Sequence, residues 1–86
     1  MSVVKRADVY EQYFGKFLVK TRTDREMSAY AVANESGVAL NLLRYYEKGE
    51  RMPTLRFIAR ISFGLKLTPS TLLADYERYL DAILEK

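Results

Sequence analysis

Cysteine and histidine are both absent from the 86 residues, and each absence closes off chemistry. Without cysteine there is no disulfide and no thiol nucleophile. Without histidine as well, the usual ligand sets for zinc, copper and haem cannot be assembled, so no cofactor is expected. Long apolar runs are also missing: none approaches the roughly 20 residues needed to cross a bilayer. The opening "MSVVKRADVY" lacks the apolar middle of a signal peptide. The expected setting is cytoplasmic, with no membrane partner. Carboxylates are present, but the 11 Asp and Glu residues are strewn among basic ones, the pattern of a solvated surface. That points away from an enzyme, because acid-base chemistry needs a convergent pair.

What remains is enough for one domain, residues 1–86, burying about 60 to 65% of its unfolded surface. Hydrophobic residues make up 49% and charged residues 29%, a globular balance. The net charge of +3 is unevenly placed. Residues 1–66 hold 12 Lys and Arg against 7 Asp and Glu, whereas residues 67–86 hold 2 against 4. A basic body with a separate C-terminal contact surface suits a polyanion-binding protein.

Helical periodicity runs through the whole chain, and no strand alternation competes with it. In "DVYEQYFGKFLVKTR", Val9, Tyr10, Tyr13, Phe14, Phe17, Leu18 and Thr21 share one stripe, which predicts a first helix over residues 8–22. Ser28 is the expected cap of a second helix, "AYAVANE", with Val32 and Ala33 inward and Gly37 in the turn that stops it. A third helix is expected over residues 39–48, ending at Gly49. Thr54 is the expected cap of a fourth, with Leu55, Ile58, Ala59, Ile61, Ser62 and Leu65 as its buried face. Thr68 and Pro69 open a fifth, over residues 69–86. The expected core is 8–67, with 69–86 as an added C-terminal helix.

From Phe14 to Leu73 the sequence resembles the Cro and phage-repressor type, or XRE, helix-turn-helix family. The resemblance is carried by "MSAYAVANESGVALNLLRYYEKGERMP" and "TLRFIARISFGLKLTPSTLL". Ser28, Ala33, Gly37, Val38, Leu43, Glu47, Gly49, Pro53, Leu55 and Ile58-Ala59 stand where the family pattern has them. It implies an all-α, five-helix, lambda-repressor-like domain whose second and third helices form the helix-turn-helix. It also implies double-stranded DNA as partner and an ion pair between Arg22 and Glu47. One departure is Ala29, where the family commonly has a phosphate-touching Gln. The start of helix two at Ser28 then offers phosphate only backbone N–H and helix dipole.

With Leu43 and Tyr46 turned inward, Leu40, Asn41, Arg44, Tyr45 and Lys48 face outward, and Leu42 lies at the flank. Asn41 suits bidentate pairing with adenine, Arg44 a guanine or phosphate, and Leu40 a thymine methyl. Tyr45, Lys48 and Arg51 suit the phosphate backbone. The competing reading takes Leu40, Leu42 and Tyr45 as an apolar patch for a protein partner on a scaffold that no longer reads DNA.

The last helix carries an apolar stripe that includes Tyr76, Tyr79, Leu80, Ile83 and Leu84. Either a second copy covers it, making a homodimer, or Tyr10, Tyr13, Phe14 and Phe17 of the first helix do. A five-helix dimer also looks like the controller proteins of restriction-modification systems. No residues remain for an effector domain, so no small-molecule ligand is expected.

Overall fold

Three hydroxyl side chains mark where helices begin. In the computed structural model, which describes residues 3–84, Ser28 Oγ accepts from Ala31 N at 3.0 Å and Thr54 Oγ1 from Phe57 N at 3.0 Å. Thr68 Oγ1 accepts from Thr71 N at 3.3 Å. Each satisfies a first-turn N–H that has no partner within its helix. The helices are α1 (Val3–Gln12), α2 (Phe14–Asp24), α3 (Ala29–Ser36), α4 (Leu40–Glu47), α5 (Leu55–Gly64) and α6 (Pro69–Leu84). The described residues contain no strand. Glu85 and Lys86, the end of the expected last helix, lie outside the described residues.

Helix ends follow one chemistry as well. At Gly37, with φ 66°, Gly37 N donates to Asn34 O and Val38 N to Ala33 O, the paired bonds of a left-handed stop. The same pair closes α4 at Gly49. It closes α2 and α5 at Glu26 (φ 57°) and Lys66 (φ 63°), where a Cβ makes that backbone costlier than it is for glycine.

Among the described residues six helices replace the expected five, because the first is broken at Tyr13, whose φ of −108° and ψ of 3° leave the helix. The Tyr76 hydroxyl, from α6, donates to the Tyr10 carbonyl, which a continuous helix would offer to Phe14 N. A side chain entering the backbone ladder is a known cause of such breaks.

The core lies where α3 crosses α5 and α4, and where α2 packs on α4 and α6. Val32, Leu43, Ile61, Leu72 and Tyr76 are its most deeply buried large side chains, each at most 1% exposed. Two close approaches need glycine. A Cβ on Gly15 would collide with the Tyr46 and Glu47 carbonyls at the end of α4, and one on Gly64 would collide with Ser36 on α3.

The buried face of α5 is a correction to the expected one. Leu55 is 79% exposed, whereas Phe57 is 2% exposed. Phe57, Ile61, Gly64 and Leu65 stand at i, i+4, i+7 and i+8 and turn inward together, which points Leu55 away. On α6, Tyr76 and Leu80 are buried within their own chain. Tyr76 sits edge-on to Tyr10 and Phe14 at 5.0 and 5.2 Å between ring centres, with Phe17 at 5.0 Å. Neither residue is free to meet a second copy, contrary to their expected place in a dimer interface. Tyr79 and Ile83 are half-buried and Leu84 is exposed.

Candidate nucleic-acid interface

The segment from α3 through the Gly37 turn to α4 presents one short helix across the body. Leu43 and Tyr46, 1% and 5% exposed, plug α4 into the core, and the Tyr46 ring lies 4.1 Å from that of Phe57. The C-terminal end of α4 is held by Arg22 of α2. Its Nε donates to Glu47 Oε2 at 2.6 Å and its Nη2 to Glu47 Oε1 at 3.3 Å, while Nη1 donates to the Met27 carbonyl. This two-pronged pair neutralises a carboxylate at the negative end of the α4 dipole. Arg60 Nη1, from α5, donates to the Gly37 carbonyl at 3.3 Å and ties the turn to the body.

With α4 fixed in roll, its outer side is determined. Asn41, Arg44, Tyr45 and Lys48 are all exposed, as the spacing anticipates. Arg51, beyond Gly49, lies with its guanidinium carbon 5.0 Å from the centre of the Tyr45 ring, so its charge sits over that ring and the two form one cationic unit. Leu40 and Leu42 are half-buried and packed against the core, so neither stands free on the outer face. Ser28 is exposed at the start of α3, with its hydroxyl engaged as the cap.

Two exposed side chains near these elements escaped the sequence reading. Tyr30, 68% exposed, places a phenol in the first turn of α3, where Ala29 is buried and offers no polar group. Arg56 is exposed in the first turn of α5, just past the Thr54 cap. The signal for both was available: each is the second residue after an N-cap hydroxyl.

No family model matches the chain, and no curated protein matches it significantly in sequence. Solved structures do. The restriction-modification controller protein C.AhdI from Aeromonas hydrophila superposes with a TM-score of 0.66 and 29% identity, over 77% of this chain and 97% of that one. An HTH_3 family transcriptional regulator from Vibrio cholerae superposes with a TM-score of 0.70 and 30% identity, over 79% of this chain and 39% of that one. The chain has the helix-turn-helix fold of the Cro and phage-repressor type. The clp gene regulator ClgR from Corynebacterium glutamicum shares that helix-turn-helix fold at 17% identity, with a TM-score of 0.74 over 88% of this chain and 81% of that one. Among the described residues of this helix-turn-helix chain, no helix is long and apolar enough to cross a membrane.

Proposed function

We propose that the chain is a sequence-specific DNA-binding transcription regulator whose α3 and α4 are the helix-turn-helix and whose α4 enters the major groove. The observation that carries this is the outer face of α4: exposed Asn41, Arg44, Tyr45 and Lys48 on a helix anchored by Leu43, Tyr46 and the Arg22–Glu47 pair. A rigidly seated helix with a polar, cationic outer side is what base readout requires. One of the similar solved structures is that of a transcriptional regulator and another that of a restriction-modification controller protein, which supports the same reading.

In this assignment Asn41 reads an adenine edge and Arg44 a guanine or phosphate. Lys48 and the Tyr45–Arg51 unit meet phosphates beside the groove, and the α3 terminus at Ser28 offers backbone N–H to another. Packing of Leu40 and Leu42 against the core takes away most of the apolar patch that a protein-partner reading needs. The chain grips operator DNA as a homodimer, through the α6 residues that its own chain covers only in part, Tyr79 and Ile83, together with the exposed Leu84.

Selection from a random duplex library at two salt concentrations tests this. The expected result is an enriched motif with two half-sites about 34 Å, one helical turn, apart. Binding that enriches no motif at either salt concentration contradicts it.

A further inference from the structure

A groove of about 640 Å³ opens on the side of the molecule between α1, α6 and the segment that leads into α5. Its walls are apolar: Tyr10, Phe14, Met52, Ile58 and Leu73 line it. Its polar groups are carboxylates, Glu11 from α1 and Glu77 from α6, and the Tyr10 hydroxyl donates to Glu77 Oε2 at 3.4 Å. We propose that this groove binds a small apolar organic cation, an aromatic or branched hydrocarbon body carrying one ammonium group.

Three observations select that occupant. The volume lies within the roughly 300 to 1,000 Å³ of small-molecule sites, where apolar walls supply affinity and a few polar groups fix orientation. The charged side chains that line the groove, Glu11 and Glu77, are both carboxylates, so a cation is favoured. A second copy is disfavoured, because a twofold contact centred on this groove would crowd the Glu11 and Glu77 carboxylates of the two copies together. The site is separate from the outer face of α4, and it departs from the sequence expectation of no small-molecule ligand. Met52 and Pro53 form one wall, so an occupant touches the loop that carries Arg51.

The test uses the full chain without DNA, so it stands or falls apart from the proposed regulator function. ¹⁵N-labelled protein is titrated with three probes of one shape: 1-naphthylmethylammonium, 1-naphthylmethanol and 1-naphthoate. The ammonium probe is expected to shift the amides of residues 10, 14, 52, 58 and 73 saturably and to bind about three- to tenfold more tightly than the alcohol. The naphthoate is expected to bind more weakly than either. Replacing both rim carboxylates, Glu11→Gln with Glu77→Gln, should bring the ammonium probe down to the alcohol's affinity while the alcohol's own affinity holds, which also shows that the variant is folded. Equal binding of amine and alcohol to the unaltered chain, or no saturable shift at these amides, overturns the proposal. Groove shifts that grow with protein concentration in the absence of probe would assign the groove to a second copy and overturn it too.

Discussion

Arg22 and Glu47, 25 residues apart in the chain, meet through two hydrogen bonds that join α2 to the end of α4. The Glu47 side chain is 8% exposed and that of Arg22 21%, so the pair lies mostly out of water. It fixes where the outer face of α4 points, and through that the direction of Asn41 and Lys48.

Removing one partner strands the other. Glu47→Ala leaves the Arg22 guanidinium partly buried without its counter-charge, and the expected loss is about 2 to 3 kcal/mol, set below the fully buried case because Arg22 keeps some water. Thermal or urea unfolding measures this. An unchanged midpoint would remove the pair from the stabilising contacts.

Ser36 of α3 and Gly64 of α5 lie where the two helices approach too closely for a Cβ on Gly64. The Ser36 hydroxyl is buried with no hydrogen-bond partner among the described residues, and a Cβ on Gly64 would lie 2.9 Å from Ser36 Cα. Ser36→Ala should therefore raise stability by about 1 kcal/mol, and Gly64→Ala should lower it by about 1 to 3 kcal/mol. Opposite signs from the two alanine substitutions are the mark of this geometry, read by urea midpoints. A destabilising Ser36→Ala would mean that the hydroxyl has a partner after all.

Glu26 closes α2 with a positive φ of 57°. It is exposed, and a glycine there relieves the Cβ strain at the cost of some unfolded-state entropy. Glu26→Gly should gain about 0.5 kcal/mol in chemical unfolding. A loss would show that the Glu26 side chain contributes more than its backbone costs.

Burial pushes the Tyr76 phenol well above its ordinary value, and burial followed by the Glu77 charge raises that of Tyr10. Because the folded value exceeds the unfolded one, these groups contribute full stability below about pH 10. The unfolded chain gives up its phenol protons first as pH rises past that point, so stability falls there. Tyr76→Phe should lose about 1 kcal/mol at neutral pH, from the bond to the Tyr10 carbonyl, and show a shallower fall above pH 10. Parallel alkaline limbs for wild type and variant would show that Tyr76 is not the group responsible.

What the sequence disclosed was local chemistry. Ser28, Thr54 and Thr68 cap helices because a hydroxyl beside an apolar period can do little else, and Gly37 and Gly49 stop them for an equally local reason. Glu26 and Lys66 perform the same stop without a glycine to announce it. The break at Tyr13 depends on Tyr76, 66 residues beyond Tyr10 in the chain, and periodicity cannot register a contact of that span. For the same reason the α6 stripe looked like a surface for another chain, although Tyr10, Phe14 and Phe17 already enclose Tyr76. At the candidate interface the outward set of α4 was legible from Leu43 and Tyr46. The half-burial of Leu40 and Leu42 was not, since it is set by their neighbours in space. Leu40→Ala is consequently a poor probe of base contact, because it also removes packing.

Asn41 isolates base reading by α4, being exposed, uncharged and able both to donate to and to accept from one base. The measurement is the affinity of wild type, Asn41→Ala and Lys48→Ala for the enriched duplex and for its single-base variants, across a salt series. Asn41→Ala should lose about 1 to 3 kcal/mol on the enriched duplex and stop discriminating at one base pair only. Lys48→Ala should weaken every duplex alike and reduce the slope of log affinity against log salt by about one. If Asn41→Ala binds all the variants as wild type does, with the same base preference at every position, α4 is not the reading helix.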